Sequence, residues 1–279
     1  MKSFRYIAAF VLGATAYAAT PIATCTTITT SGNYFLNADL TATASCIFIN
    51  ASNVSLALNG HSINGPVPAG GIGITITPIT GRLDHVSISG PGLIQGFTTG
   101  ITINNSDYVQ VSLLTSASNV SNGINSGGTN TFVTIASNIL AQNGIWGLLL
   151  TADNSSVTGN EMPGNGAGAG IHPTGGMRIT GTADTISNNV ASGSPLPAAN
   201  TNTLNAGIVV NTTASRISGN VADGNISAGI RVTGNGNQLF NNKALGNTVN
   251  DLQDDNANCG TNLWADNTFF TRNPASCVK

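Results

Sequence analysis

A glycine opening a short apolar strand returns along this chain at intervals that few folds accept. The motif reads "GITI" at Gly73 and Gly100, "GINS" at Gly123, "GLLL" at Gly147 and "GMRI" at Gly176. "GIVV" at Gly207 and "GIRV" at Gly229 complete the series, with intervals of 27, 23, 24, 29, 31 and 22 residues. Matching motifs at such spacing mark one structural unit stacked on itself. Stacked helices would hold the interval more tightly, and no helical apolar period runs through the units. Alternation does: Ile74 and Ile76, Ile101 and Ile103, Ile208 and Val210, Ile230 and Val232. Short strands put such residues on one inward face.

A second column fixes the register. Ile135, Val157, Ile186, Ile217, Leu239 and Trp264 each precede an asparagine by three residues, giving Asn138, Asn160, Asn189, Asn220, Asn242 and Asn267. Asparagine tolerates the left-handed region and bonds nearby backbone groups, so it suits a turn between strands. Stacked coil on coil, each amide can bond the next. Strands about 4.8 Å apart, joined by right-handed crossovers, give an all-β, right-handed parallel β-helix, a solenoid of about eight to ten coils. Open ends expose strand edges, so caps are expected at residues 19–46 and 251–279.

Composition narrows the partners. Hydrophobic residues reach 41%, enough for a continuous core, while charged residues are only 7% against about 25% in ordinary domains. Nine Lys plus Arg against eleven Asp plus Glu leave no basic footprint for nucleic acid and none for an acidic membrane surface. The first 18 residues read as a signal peptide: Lys2 and Arg5, then "YIAAFVLGA", then Ala16-Tyr17-Ala18 as the cleavage site. No later apolar run is long enough to span a membrane. Residues 19–279 are therefore expected as one secreted or periplasmic domain, most simply a monomer. Four cysteines fit an oxidising compartment and allow three pairings. Cys25 with Cys46, and Cys259 with Cys277, would give the solenoid disulfide-stapled ends, with Cα atoms about 4.4–6.8 Å apart.

The run "GNYFLNADLTATASCIFINASNVSLALNGHSINGP", above all its part Leu56–Pro66, and the ending "DLQDDNANCGTNLWADNTFF" from Asp251 to Phe270 carry a resemblance. The chain resembles secreted right-handed β-helix repeat proteins of the NosD-like, carbohydrate-binding and sugar-hydrolysis superfamily, with a pectate-lyase-like fold. The resemblance implies the fold and an extracellular polysaccharide as partner. It leaves open whether the chain is an enzyme, since this fold hosts lyases, hydrolases, epimerases and non-enzymes.

No complete catalytic motif is present. Asp254-Asp255 is the only Asp-Asp pair and lies in the closing cap, while His172 stands in "GIHPTGG" rather than G-H-G. The D-P-H-D motif of mannuronan epimerases is missing. No cofactor and no metal site is expected, because His61, His85 and His172 are unclustered. The two longest coils carry adjacent insertions, "EMPGNGAGAGIHPTG" from Glu161 to Gly175 and "SGSPLPAANTNTLNA" from Ser192 to Ala206. They are expected to form one raised wall beside a groove. Parity points the residue two after each glycine outward: Thr75, Thr102, Asn125, Leu149, Arg178, Val209 and Arg231. Arg178 and Arg231 are thus candidate sugar-binding residues by forked hydrogen bonds, and Trp146, near the insertions, is one by ring stacking. Glu161, His172 and Arg178 are candidate catalytic residues, with Asp153 or Asp184 as the second carboxylate that glycosidases require. The leading expectation is a secreted polysaccharide-binding β-helix, with lyase or glycoside hydrolase activity left open. Its rivals are a structural or surface-adhesion solenoid and a periplasmic accessory β-helix. Exported protein should begin at Ala19, which intact-mass measurement checks; an uncleaved leader would overturn that assignment.

Overall fold

The computed structural model describes residues 18–66, 68–168, 172–195 and 205–279. The expected signal peptide, apart from Ala18, lies outside them, as do the middles of both insertions. Two parallel sheets of eleven strands each run the length of the chain, and a third of five strands lies beside them. The glycine-led strands form the first sheet. Ile74, Ile101, Ile124, Leu148, Met177, Ile208, Ile230 and Leu252 pair in sequence as one inward column. Ile135, Val157, Ile186, Ile217, Leu239 and Trp264 form the matching column of the second sheet. The third sheet continues as single bridges from Ile139 through Glu161, Val190, Val221 and Lys243 to Thr268.

The fold is the right-handed parallel β-helix, with more strands per long sheet than the eight to ten coils expected. Both end regions reserved as caps contribute strands of their own, Thr26–Ile28 at one end and Arg272–Asn273 at the other. The disulfides lie in those regions, Cys25–Cys46 with Cα atoms 4.5 Å apart and Cys259–Cys277 at 6.0 Å.

The glycine column is explained by close approach between coils. A Cβ on Gly100 would stand 2.6 Å from the carbonyl oxygen of Gly123, and one on Gly123 2.6 Å from that of Gly147. No side chain fits there, so the coils from Gly73 to Gly229 need glycine at this point, while Cys46 and Asp251 take the position towards the two ends.

Three polar ladders, rather than the single one expected, close the turns. In the first, Asn220 Nδ2 donates to Ile186 O and to Asn242 Oδ1, both at 2.9 Å. Its Oδ1 accepts from the N and Nδ2 of Asn189, both at 3.0 Å. The same pattern runs from Asn138 through Asn160 and Asn189 to Asn242 and Asn267. A second ladder, at the turn from first to second sheet, comprises Ser155, Asp184, Ser215, Asn237 and Asn262, with Ser155 Oγ accepting from Val133 N on the coil before. A third holds Asn119, Asn143 and Asn165, and later Asn225 and Asn247.

Aspartates terminate two of the ladders near the C-terminus, because a carboxylate accepts at both oxygens and asks for no further acceptor. Asp251 Oδ1 takes the N and Nδ2 of Asn247, while its Oδ2 takes the N–H groups of Phe270 and Thr271. Burial pushes its pKa up, yet these hydrogen bonds outweigh that and leave it below the ordinary value. Asp254 Oδ2 accepts from Asn262 Nδ2 at 3.0 Å and Trp264 Nε1 at 2.9 Å. The "DLQDD" run is accounted for by this closure.

Asp184 is the exception within a ladder. It is 2% exposed, its Oδ1 accepts from Ser155 N at 2.8 Å, and its Oδ2 has no hydrogen-bond partner. At the same rung of a later coil, Asn237 Nδ2 donates to Thr212 O at 2.8 Å. Burial therefore pushes the Asp184 carboxyl up to about 7; the Ser155 N–H works against this and the Asp153 charge adds to it.

Replacing Asn220 by leucine should cost about 1–3 kcal/mol by orphaning backbone groups, read by denaturant unfolding; unchanged stability would reduce the ladder to composition. For Asp184, the folded chain keeps its proton to higher pH than the unfolded chain. Its contribution is complete below the ordinary carboxyl range, falls as pH rises from there, and levels off above about 7. Thermal midpoints of the Asp184→Asn variant should lose that decline across about pH 4–7. An identical pH profile in both proteins would show that Asp184 ionises freely.

Candidate functional site

The outer face of the first sheet brings together three of the four residues singled out near the insertions. Trp146, His172 and Arg178 line one depression of about 240 Å³, with Asn122, Ile145 and Leu149. Glu161 is exposed on the third sheet, between Ile139 and Val190 in the bridge column. The expected Glu161–His172–Arg178 grouping is corrected accordingly: Glu161 follows the ladder turn at Asn160 and lies on the third sheet, not on the face that carries Arg178.

Trp146 was expected to offer a ring for stacking, and it is only 2% exposed. Its column holds Gly175, Ala206 and Ala228 on successive coils. A Cβ on Gly175 would meet Trp146 Cζ3 at 2.9 Å, so the indole lies over that glycine. With Ala206, Val209 and Ala228 it forms a small apolar cluster outside the main core. Small neighbours make room for a large ring, and Trp146 is a packing residue.

Arg231 is corrected for a different reason. It points outward as parity requires, yet it is 9% exposed and its Nε donates to Asp255 Oδ2 at 2.7 Å. Asp255 is thus its internal partner, and the guanidinium is not left for a ligand.

Arg178 stands apart. In its column Leu149 lies on one side and Val209 on the other, so no carboxylate is within the ladder of outward residues beside it. Arg82 pairs with Asp107 through two hydrogen bonds, Arg216 lies over Phe240, and Arg272 lies over Phe269. Among the described residues the half-buried Arg178 guanidinium makes no ion pair and no hydrogen bond. His172 is exposed at the rim of the same depression.

The sequence reading passed over an aromatic stack at the corner between the first and second sheets. His85 and Tyr108 have ring centroids 4.9 Å apart, and Tyr108 and Phe132 4.7 Å apart, stacked with nearly parallel planes. Tyr108 and Phe132 are 49% and 44% exposed. All three have left-handed backbone, φ 54°, 51° and 55°, which costs a bulky residue about 1–2 kcal/mol. The same turn position on other coils holds Asn53, Asn154, Ala183 and Ala214. Beside the stack, Asp107 binds Arg82 and the Thr131 hydroxyl, which hold its pKa below the ordinary value against burial. His85 Nδ1 is 2.8 Å from Asp84. The signal was available: the aromatics recur at 23 and 24 residues, the local repeat interval, in a chain only 5% aromatic.

Among the described residues no three His, Cys, Asp or Glu side chains converge on a metal position. Asp153 is half-buried at the sheet corner and Asp184 sits in the wall behind it.

No known family's sequence model and no curated protein matches the chain. Solved structures do match in fold. The Dettilon tailspike protein superposes with a TM-score of 0.63 at 14% identity, over 89% of this chain and 54% of its own. A GH136 lacto-N-biosidase from Eubacterium ramulus gives 0.58 at 12%, over 82% and 47%. A DFA-IIIase from Arthrobacter chlorophenolicus A6, in complex with DFA-III, gives 0.56 at 15%, over 85% and 64%. The chain spans about half the length of the first two, and at these identities the likeness is one of fold.

Proposed function

We propose that this protein is a secreted β-helix that binds an extracellular polysaccharide on the outer face of its first sheet, with Arg178 as the anchor. The observation that carries the reading is the unpaired, half-buried guanidinium in a depression of about 240 Å³. A planar fork of donors held at a concave surface suits paired hydroxyl or carboxylate oxygens of a sugar. Two disulfides support an oxidising compartment. A lacto-N-biosidase among the structural neighbours, itself carbohydrate-acting by name, supports the ligand class.

The reading is of binding. Hydrolysis would need two carboxyl groups about 5–9.5 Å apart across the sugar, and the residues lining the Arg178 depression include no carboxylate. His172 is then a rim contact. Burial of Trp146 favours the structural solenoid over a deep groove, so that alternative is the one the experiment must separate.

Arg178→Ala should weaken binding to a polysaccharide panel about ten- to hundredfold, the scale of charge-assisted hydrogen bonds, with the thermal midpoint unchanged. Affinity electrophoresis followed by calorimetry reads this. Equal retention of both proteins on every polysaccharide would sink the reading and favour the structural solenoid.

A further inference from the structure

The Arg178 depression has a neighbour on the same three strands. A second depression, of about 200 Å³, is lined by Thr129, Asn130, Thr151, Asp153 and Thr180 among others. Leu149 and Arg178 line the first; Thr151 and Thr180 follow each of them by two residues. Residues so spaced share a face of the sheet about 7 Å apart, so the two depressions adjoin along the strand direction.

Beyond the second depression the chain turns the corner that carries the aromatic stack. Phe132 comes two residues after Asn130, and its N–H donates to Asp153 O at 2.9 Å. Tyr108 covers one face of the Phe132 ring. On the other side the next coil places Asn154 in the column, a side chain too short to cover the second face. Folding does not require a ring at this turn, since Ala183 and Ala214 adopt the same backbone conformation on later coils.

We infer that the bound polysaccharide crosses the first sheet obliquely, advancing along the strands while stepping back two coils, from Arg178 over Thr180 and Asp153 to the face of Phe132 that Tyr108 leaves open, where it places a neutral sugar ring. The inference rests on the Arg178 reading and extends it. Thr151, Thr180 and Asp153 supply hydroxyl and carboxylate partners for sugar hydroxyls. Phe132 supplies an apolar face for the C–H side of a pyranose. Neutrality follows from charge: Asp153 pairs beside Thr131, the residue before Phe132, and Arg82 at this corner is already bound to Asp107. An acidic sugar at the corner would meet repulsion with no counter-charge.

The test uses the full chain with two series of oligosaccharides, from disaccharide to hexasaccharide. One series is neutral, made of gluco-, xylo- and galacto-oligosaccharides, and the other is of oligouronates; calorimetry gives the affinities. Affinity for a neutral series should climb with length. Phe132→Ala should remove about tenfold from the longest members and leave disaccharides unchanged. Arg178→Ala should weaken every length. The alanines already present in the column keep Phe132→Ala foldable, and an unchanged thermal midpoint verifies it. Wild-type binding of all lengths by Phe132→Ala, with Arg178→Ala still impaired, would overturn the crossing path and leave the proposed function standing. A Phe132-dependent gain for oligouronates would overturn the neutral corner. Absence of any effect from Arg178→Ala would take down the proposed function itself, and this inference with it.

Discussion

Everything in this molecule depends on carrying hydrogen bonds from coil to coil through the turns, where the sheets themselves cannot supply them. A parallel strand satisfies its backbone against the strands before and after it, but a turn between strands leaves N–H and C=O groups facing the interior. Buried amides solve this, since one asparagine accepts at its oxygen and donates at its nitrogen. Asn160 does both, accepting from Asn138 and donating to Asn189 and to Ile135 O. The cost of an orphaned buried group, about 1–3 kcal/mol each, explains why the rungs are so uniform.

The ladders also explain the low charge of the sequence. Polar residues here are consumed as internal hydrogen-bonding parts, and a buried amide needs no counter-ion. Charge enters where a ladder must stop, at Asp251 and Asp254, or where it makes an outward ion pair, as Arg231 does with Asp255. Asp184 breaks this rule by placing a carboxyl where an amide belongs, and its raised pKa is the consequence.

On the outside, packing follows different demands. The small residues Gly175, Ala206 and Ala228 let the Trp146 ring lie flat against the first sheet, which removes it from the surface. The same face leaves Arg178 between Leu149 and Val209 with no acid to pair with. A strained aromatic stack at the corner adds an apolar edge that the core does not use. Among the described residues these give a shallow, largely apolar face that carries the Arg178 cation, suited to binding an extended chain more than to enclosing a small molecule.

The sequence alone determined the stacked repeat, its parallel strands, the inward columns, the first asparagine ladder and the two disulfides. All but the disulfides are recurring demands of the backbone, so they return coil after coil in the residues; the disulfides were legible as neighbouring cysteine pairs at the two ends. Glycine was visible as a marker, but its reason was not: the close approach of Gly100 to the Gly123 carbonyl exists only between coils. The site was less legible, because it depends on what neighbours a side chain receives. Parity turned Arg178 and Arg231 outward and the insertions drew attention to Trp146, yet only the stacked coils decided that Trp146 would be covered, that Arg231 would pair with Asp255 and that Arg178 would stand between Leu149 and Val209. Glu161 fell on another face because the turn at Asn160 separates it from the first sheet. The stack of His85, Tyr108 and Phe132 became a surface only once three turns were laid one on another about 4.8 Å apart.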